Sequence, residues 1–420
     1  MIVLEAKLEG TSDQYLLLDE AIRTGRFVRN SCLRYWMDNR GVTRNDLSSY
    51  CKVLADNPEF PWAKKLNSMA RQAMAERAWT AIARFYDNCR SGKPGKKGYP
   101  KFKKYQTNAS VEYKTSGWKL SENRRDITFT DGFGAGTFRL WGTRDLHFYQ
   151  IKQIKRVRVV RRADGYYTQF CVDVDRKEKR EFQNRMIGLD VGLDHFYTDS
   201  EGNQVENPRF LRRGEKAILK AQRRLSRKFR RSIDKGQKIK QSNNYRKAQN
   251  RLSRKHLKVQ RQRKDFAVKL ARCVIQSSDL VAFEDLKVAN MVKNRHLAKS
   301  ISDAAWSQFR GWLEYFSEVF GVPVIAVAPH FTSQNCSSCG AKVQKALSVR
   351  THKCLHCGHI QDRDWNAAIN ILKKALESLI NTNTVGHTGI NAWGDCDLCV
   401  APETEQRKPD RPHRTRKPQQ

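Results

Sequence analysis

Two thiol-bearing turns constrain the fold of this chain more than any other feature of its sequence. Cys336-x2-Cys339-Gly340 and Cys354-x2-Cys357-Gly358 are separated by fourteen residues. Each turn can offer two thiolates and two turns close one tetrahedral shell, so the chain between them must double back. A four-sulfur shell leaves no position for water, and the zinc it predicts is structural. His352, His356 and His359 lie near enough to replace a ligand, although the cysteines already complete the set. The rival reading is four unpaired core thiols, which needs two such turns to coincide within 23 residues. The chain has eleven cysteines, an odd number, and Cys396-x2-Cys399 has no partner pair, so reduced thiols and a metal fit better than a disulfide framework.

Charge narrows the partners. Lys and Arg number 80 against 43 Asp and Glu, a formal net charge of +37, while 39% apolar residues still suffice for folded cores. The 420 residues predict two to four domains at roughly 100 to 200 residues each. Self-repulsion on this scale is relieved by a polyanion, most commonly nucleic acid, with an anionic membrane surface second. No stretch approaches the ~18 apolar residues of a membrane span, and residues 1–10 lack the basic start and long apolar run of a signal peptide. A cytoplasmic protein with no membrane partner is expected. Cationic density peaks in residues 211–264, with 22 Lys or Arg against Glu215 and Asp234. Most such runs are solvated helix faces, but Leu225, Phe229, Leu252 and Leu257 supply an apolar side, and a phosphate-binding helical hairpin is expected.

Periodicity orders the rest. Residues 1–8 alternate as a strand, and Thr11, Ser12 or Asp13 can cap a helix that turns Tyr15, Leu18, Ala21, Ile22 and Phe27 toward a core. Helical spacing returns from Trp62 to Cys89 and stops at a Gly and Pro break. Residues 96–105 are a basic loop with interleaved aromatics, and residues 110–174 read as the short strands of a small barrel. Strands follow at 187–192 and 195–200, then a helical region from about Arg212 to Cys273 and a strand at 279–285. A helix from about Asp303, with Trp306, Phe309, Leu313, Phe316 and Phe320 as its core stripe, leads to a strand at 322–329. A last amphipathic helix runs from Trp365 to Ile380, and residues 381–420 have no periodicity and are expected to be disordered.

Carboxylates fall where apolar strands end. Asp190 sits in Met-Ile-Gly-Leu-Asp-Val-Gly (186–192), and a carboxylate at the end of a buried strand needs a cation. Glu284 ends a second apolar strand, and Asp285 beside it points to the opposite face because strand side chains alternate. Asp362 and Asp364 open the last helix, where one can cap it and the other face the sheet. Alone each is ordinarily structural; together they supply what a pair of magnesium ions needs for phosphodiester hydrolysis.

These stretches resemble the TnpB family, transposon-encoded relatives of type V CRISPR effectors. The resemblance rests on GLDVG at Asp190, FEDL at Glu284, CSSCG, CLHCG and DRDWNAAIN in that order, joined by GRFVRNSCL (25–33), GYPKFKK (98–104), ISDAAW (301–306) and TSQNCSSCG (332–340), and covers nearly the whole chain. It implies a multidomain α/β protein: a β-barrel wedge domain (1–9 and 109–183), a helical recognition domain (10–108), an RNase H-like RuvC nuclease domain (184–330 and 360–380), an inserted zinc ribbon (331–359) and a tail (381–420). The implied activity is RNA-guided cleavage of both strands of double-stranded DNA beside a short flanking motif, in a prokaryotic cytoplasm, with a guide RNA from the transposon end. On this resemblance Asp190, Glu284 and Asp364 are the catalytic triad holding two Mg²⁺, with Asp362 a second-choice ligand, while Cys336, Cys339, Cys354 and Cys357 hold Zn²⁺. Gln72 lies where the family touches its flanking motif; Lys101, Lys103, Arg223, Arg224, Arg227, Arg230 and Arg231 are expected at phosphates. The proline common after the family's first strand is missing, which bears on motif specificity. Alternatives are a transposase or integrase on the same topology, a nuclease-silent guided binder, and a CRISPR-associated effector.

Overall fold

A computed structural model describes residues 1–92, 94–104, 109–142, 146–230, 241–346 and 349–383. Arg231, Cys396, Cys399 and the tail beyond residue 383, expected to be disordered, lie outside the described residues. In chain order come β1 (Ile2–Glu9), α1 (Ser12–Asp38), α2 (Arg44–Asp56), α3 (Ser68–Arg90), β2 (Ser110–Tyr113), β3 (Trp118–Leu120), β4 (Asp126–Phe129), β5 (Gly136–Trp141), β6 (Ile154–Arg162) and β7 (Gly165–Val172). Then follow β8 (Met186–Val191), β9 (His195–Asp199), β10 (Gln204–Glu206), α4 (Phe210–Ser226), α5 (Asn243–Gln276), β11 (Leu280–Glu284), α6 (Val288–Met291), α7 (Ala298–Ala304), α8 (Trp306–Phe320), β12 (Val324–Val327), β13 (Thr351–Lys353), β14 (Ile360–Asp362) and α9 (Arg363–Asn383). Among the described residues no helix is long and apolar enough to cross a membrane.

The elements divide into two compact units. The first comprises Met1–Asn184, Asn207–Asp279 and Lys287–Pro323. Its seven strands pair in the order β2-β6-β7-β1-β5-β4-β3, all antiparallel, so the first strand of the chain lies mid-sheet between β5 and β7. Thr11 caps α1: its hydroxyl accepts from the Gln14 N–H, and the Gln14 side chain accepts in return from the Thr11 N–H. The inward stripe of α1, Leu18, Ala21 and Ile22, joins Val111, Phe138, Val157 and Phe170 of the sheet in one core. Further along α1, Val28, Cys32 and Leu33 bury against Leu47 of α2 and Ala78 and Ile82 of α3.

Two expectations shift. The helix expected from Trp62 begins at Ser68, because the Asn67 side chain accepts from the N–H groups of Met69 (2.9 Å) and Ala70 (3.3 Å). Trp62 instead packs edge-on against Phe27 at 4.5 Å. The helix expected from Asp303 is two helices, broken at Ala305, which takes a left-handed φ of 57°. Asp303 leaves that boundary to accept from the N–H groups of Leu211 (2.9 Å) and Arg212 (3.3 Å) at the start of α4, and pairs with Arg263 at 2.8 Å. The cationic region is two helices, α4 and α5, with Ile218, Ala248 and Val259 buried and Arg223, Arg224, Arg227 and Arg230 exposed.

The second unit comprises Arg185–Glu206, Leu280–Leu286 and Val324–Gln420. Its sheet runs β10-β9-β8-β11-β12, with β8, β11 and β12 parallel and β9 and β10 folded back antiparallel. Helix α9 covers one face, burying Ile371 and Ala375 against Leu280, Ala282 and Val327. At Gly188 the helix comes so close that an added Cβ would stand 2.2 Å from the Ala368 carbonyl oxygen and 2.8 Å from the Leu372 nitrogen. Since both neighbours are helix backbone, no side-chain rotation relieves the clash. Gly188→Ala should therefore cost at least ~1–3 kcal/mol, read as a lower denaturant midpoint; an unchanged midpoint would mean that α9 can shift away from β8.

Candidate active site

Gly188 and Asp190 share a face of β8, two residues apart, and Asp364 and Ala368 share a face of α9, four apart. The contact at Gly188 thus sets the start of α9 above the end of β8. The parallel register pairs Phe283 with Leu189, which brings the next residues, Glu284 and Asp190, side by side at the carboxyl ends of their strands. Asp362 resolves the alternative at the helix start: its carboxylate accepts from the N–H groups of Asp364 (2.9 Å) and Trp365 (3.0 Å), so Asp362 is the cap and Asp364 is the acid left to the site. Asp285 is exposed and off this face.

Each acid has its own neighbours. Glu284 accepts from the Thr332 hydroxyl at 2.5 Å. Asp364 is held by Arg363 at 2.8 Å and by Arg350 at 3.3 Å, and Arg350 also pairs with Asp194. Asp190 is half-buried at the rim, and it carries the crowding: burial first, then the charges of Glu284 and Asp364, push its carboxyl well above the usual range, relieved partly by Arg363. Burial also raises Glu284, against the Thr332 hydrogen bond and the Lys374 charge, which lower it. Like charges in a desolvated pocket take up protons or a cation, and a divalent ion is the fitting occupant for three carboxylates. The three acids are looser than a closed cage; among the described residues only the four cysteines have donor atoms all within 4.8 Å of one another.

Those cysteines form the expected shell. Sγ of Cys336 lies 3.7 Å from Cys357, and Sγ of Cys339 lies 3.6 Å from Cys354. Four sulfurs at ~2.3 Å from a zinc would stand ~3.8 Å apart, so these edges fit. Each turn closes on its glycine: Gly340 (φ 75°) donates to the Cys336 carbonyl and Gly358 (φ 73°) to that of Cys354. Backbone N–H groups of the second turn, Cys357 first, lower the Cys354 thiol to about 6. Cys339 sits at about 12: the Ala341 N–H lowers it, and sharing protons with Cys357, Cys354 and Cys336 outweighs this. The Cys354 thiolate forms readily, while Cys339 keeps its proton until a cation replaces it. Of the three histidines, His352 is buried beside Lys345, and His359 lies 3.0 Å from Gln361.

The zinc turns and the acids are one assembly. Asn370 donates to the carbonyls of Thr332 (2.8 Å) and Asn335 (2.7 Å), Asn366 donates to Asn335 (2.8 Å), and the Ser337 N–H donates to Asn366 (2.8 Å). The asparagines of Asp-Trp-Asn-Ala-Ala-Ile-Asn therefore fasten the first turn to α9 and seat Thr332 under Glu284. Sequence reasoning missed Arg350, Asp194, Thr332 and this pair of asparagines. Their spacing of four was a signal for a shared helix face, but nothing local named its partner. Elsewhere, Gln72 is half-buried on α3, and Lys101, Lys103, Arg223, Arg224, Arg227 and Arg230 are exposed.

Two outcomes follow from this geometry. Purified chain should carry about one zinc, and Cys339→Ser should lose it and lower the unfolding temperature; retained zinc would remove the shell. The acids set a pH dependence. A folded carboxyl pKa above the unfolded value of ~4 means that the native state binds more protons between the two, so stability falls as pH rises through that window. Comparing metal-free parent with Asp190→Asn should show a steeper fall in the parent, because the buried Glu284 still contributes in the variant, and Mg²⁺ should reduce it; identical pH profiles would deny the crowding.

Residues 169–295 match the OrfB_IS605 family model, described as "Probable transposase", and residues 306–371 match the Cas12f1-like TNB domain. A Streptomyces pristinaespiralis protein named as an RNA-guided DNA endonuclease is 29% identical over 374 residues, 87% of either chain. A TnpB-like protein of Methanocaldococcus jannaschii is 36% identical over 113 residues, 27% of this chain and 50% of that one. In fold the chain resembles Cas12f1, solved with a guide RNA and target DNA, with a TM-score of 0.50 over 86% of this chain and 82% of that one at 15% identity. By sequence this chain is similar to TnpB-like proteins and to proteins named as RNA-guided DNA endonucleases, and its mixed α/β fold resembles that of Cas12f1.

Proposed function

We propose that the chain is an RNA-guided DNA endonuclease, and the observation that carries this is the crowding of Asp190 by Glu284 and Asp364 at the carboxyl ends of parallel strands. The matches to proteins named for that activity support it. The sheet, three antiparallel strands continued by two parallel ones, fits an RNase H-like RuvC domain at 184–330 and 360–380, with the ribbon at 331–359 inserted. Residues 1–9 with 109–183 act as a wedge, and residues 10–108 as the recognition domain.

Asp190, Glu284 and Asp364 would hold two magnesium ions, which when bound supply Lewis-acid polarisation of the phosphate and an activated water. Thr332 keeps the Glu284 carboxylate from turning away. Asp362, spent on the helix cap, holds Asp364 at the helix start. Arg350, shared between Asp194 and Asp364, is placed to meet a phosphate entering the pocket. One such pocket cuts one strand at a time, so both target strands visit it in turn.

Specificity comes from base pairing with a guide RNA derived from the transposon end, while the protein reads only a short motif beside the target, the division of labour seen in guided nucleases. Gln72 is assigned to that motif. Lys101, Lys103, Arg223, Arg224, Arg227 and Arg230, with Arg231, grip phosphates without reading bases. The setting is a prokaryotic cytoplasm.

Chemistry and grip should separate. With guide-loaded protein, matched double-stranded DNA and Mg²⁺, alanine at Asp190, Glu284 or Asp364 should lower cleavage by orders of magnitude while guided binding persists. Removing a second acid should add little, because the acids act as one unit. Asp285→Ala should cut almost normally. Parent-rate cutting of both strands by Asp190→Ala would sink the assignment.

A further inference from the structure

Two sequence stretches singled out above, Gly-Arg-Phe-Val-Arg-Asn (25–30) and Gly-Tyr-Pro-Lys-Phe-Lys-Lys (98–104), are far apart in the chain and become one device in the first unit. The loop 96–104 is pinned by its main chain. Asn88 donates to the Lys97 carbonyl at 2.9 Å, and Arg29, itself buried, donates to the Lys101 carbonyl at 3.3 Å. Asn30 makes a reciprocal pair with Lys103, donating to its carbonyl at 3.0 Å and accepting from its N–H at 2.9 Å. Pro100 is buried beneath the loop. With the backbone committed, the side chains of Tyr99, Lys101, Phe102, Lys103 and Lys104 face outward.

What they present is unusual for a soluble surface. Phe102 is 45% exposed, Tyr99 53% and Tyr86 45%, in a segment whose residues 96–104 hold five lysines and no acid. Tyr99 is braced from behind, its ring 5.2 Å from Phe85 and 5.8 Å from Trp36. Aromatic rings left open cost solvation, and a loop anchored at Lys97, Lys101 and Lys103 has little freedom to fold them away. Rings among cations match the dual chemistry of an unpaired nucleotide, a flat base and an adjacent phosphate. A duplex hides its base faces, so the occupant has unpaired bases. A folded RNA offers these in loops and ends, whereas double-stranded DNA does so only after it is opened.

We propose that Tyr99 and Phe102 form a stacking platform for unpaired bases of the bound RNA, with Lys101, Lys103 and Lys104 on the flanking phosphates. This rests on the guided reading above and adds to it a place where the guide is held by its base faces. The platform distinguishes the loop from the arginines of α4, which meet backbone charge alone.

The test uses the full chain and a single-stranded RNA carrying 5-iodouridine, irradiated and mapped by peptide mass spectrometry. Attachment at Tyr99 or Phe102 is expected; attachment confined to other peptides overturns the platform, and attachment there by the deoxy counterpart but not by RNA overturns the choice of RNA. In parallel, Phe102→Ala should weaken binding of that RNA roughly five-fold or more, with an unchanged salt slope, since no charge is lost. Phe102→Trp should restore binding and Phe102→Leu should not. Lys101→Ala should instead flatten the slope by about 0.7. Full affinity in Phe102→Leu would reduce the contact to ordinary apolar burial and defeat the proposal. Parent chain that binds RNA but cuts no matched DNA with Mg²⁺ would overturn the endonuclease reading and leave the platform standing.

Discussion

The close approach of α9 to β8 at Gly188 is the contact on which the second unit depends. A helix normally rests on a sheet through side chains on both surfaces. Here one of those side chains is missing, and the backbone of Ala368 fills its place. The helix start is thereby drawn down over the strand end, and Asp364 meets the face that carries Asp190 and Glu284. Any residue larger than glycine at this position would lift the helix and spread the acids.

That placement creates an electrostatic problem, and the surrounding residues address it only in part. Arg363 and Arg350 pair with Asp364, and Thr332 hydrogen-bonds Glu284, but Asp190 keeps an unfavourable field from its neighbours. Compensation remains incomplete because the two arginines pair with Asp364, and Arg350 is shared with Asp194 as well. A pocket that is short of positive charge in this way is prepared for a cation from outside. The thiol cluster shows the same logic in another chemistry, with the Cys354 thiol lowered and the Cys339 thiol raised until a cation displaces its proton. The asparagines of α9 connect the two, so order in the zinc turns passes to Glu284 through Thr332 and Asn370.

The cationic surface is layered by what lies beneath each charge. The arginines of α4 stand on an exposed helix face and can follow a phosphate backbone as it moves. The lysines at 101 and 103 sit on a loop whose main chain is tied to Arg29 and Asn30, and they flank an exposed ring. A net charge of +37 favours polyanions in general, but only the second arrangement adds a shape to that preference.

Much of this was legible from the chain alone. Short apolar runs placed β8 and β11, helical stripes placed α8 and α9, and paired thiols placed the two cysteine turns, because each of these signals is written within a few consecutive residues. Asp190 and Glu284 could be singled out for the same reason: a charge closing an apolar strand is a local anomaly. The cap was left open between Asp362 and Asp364, since either carboxylate can reach the first N–H groups of a helix. The start of α3 and the break at Ala305 were misplaced, because Asn67 and a single left-handed residue leave the apolar spacing intact. Sequence by itself determined most of the elements, the acids that close apolar strands and the paired thiols. Only the tertiary structure decided which acid faces which, that Arg350 reaches Asp364, that two asparagines hold a zinc turn, and that residues 29 and 30 pin a loop seventy residues away. Those outcomes depend on distances between segments remote in sequence, which no local pattern of residues encodes.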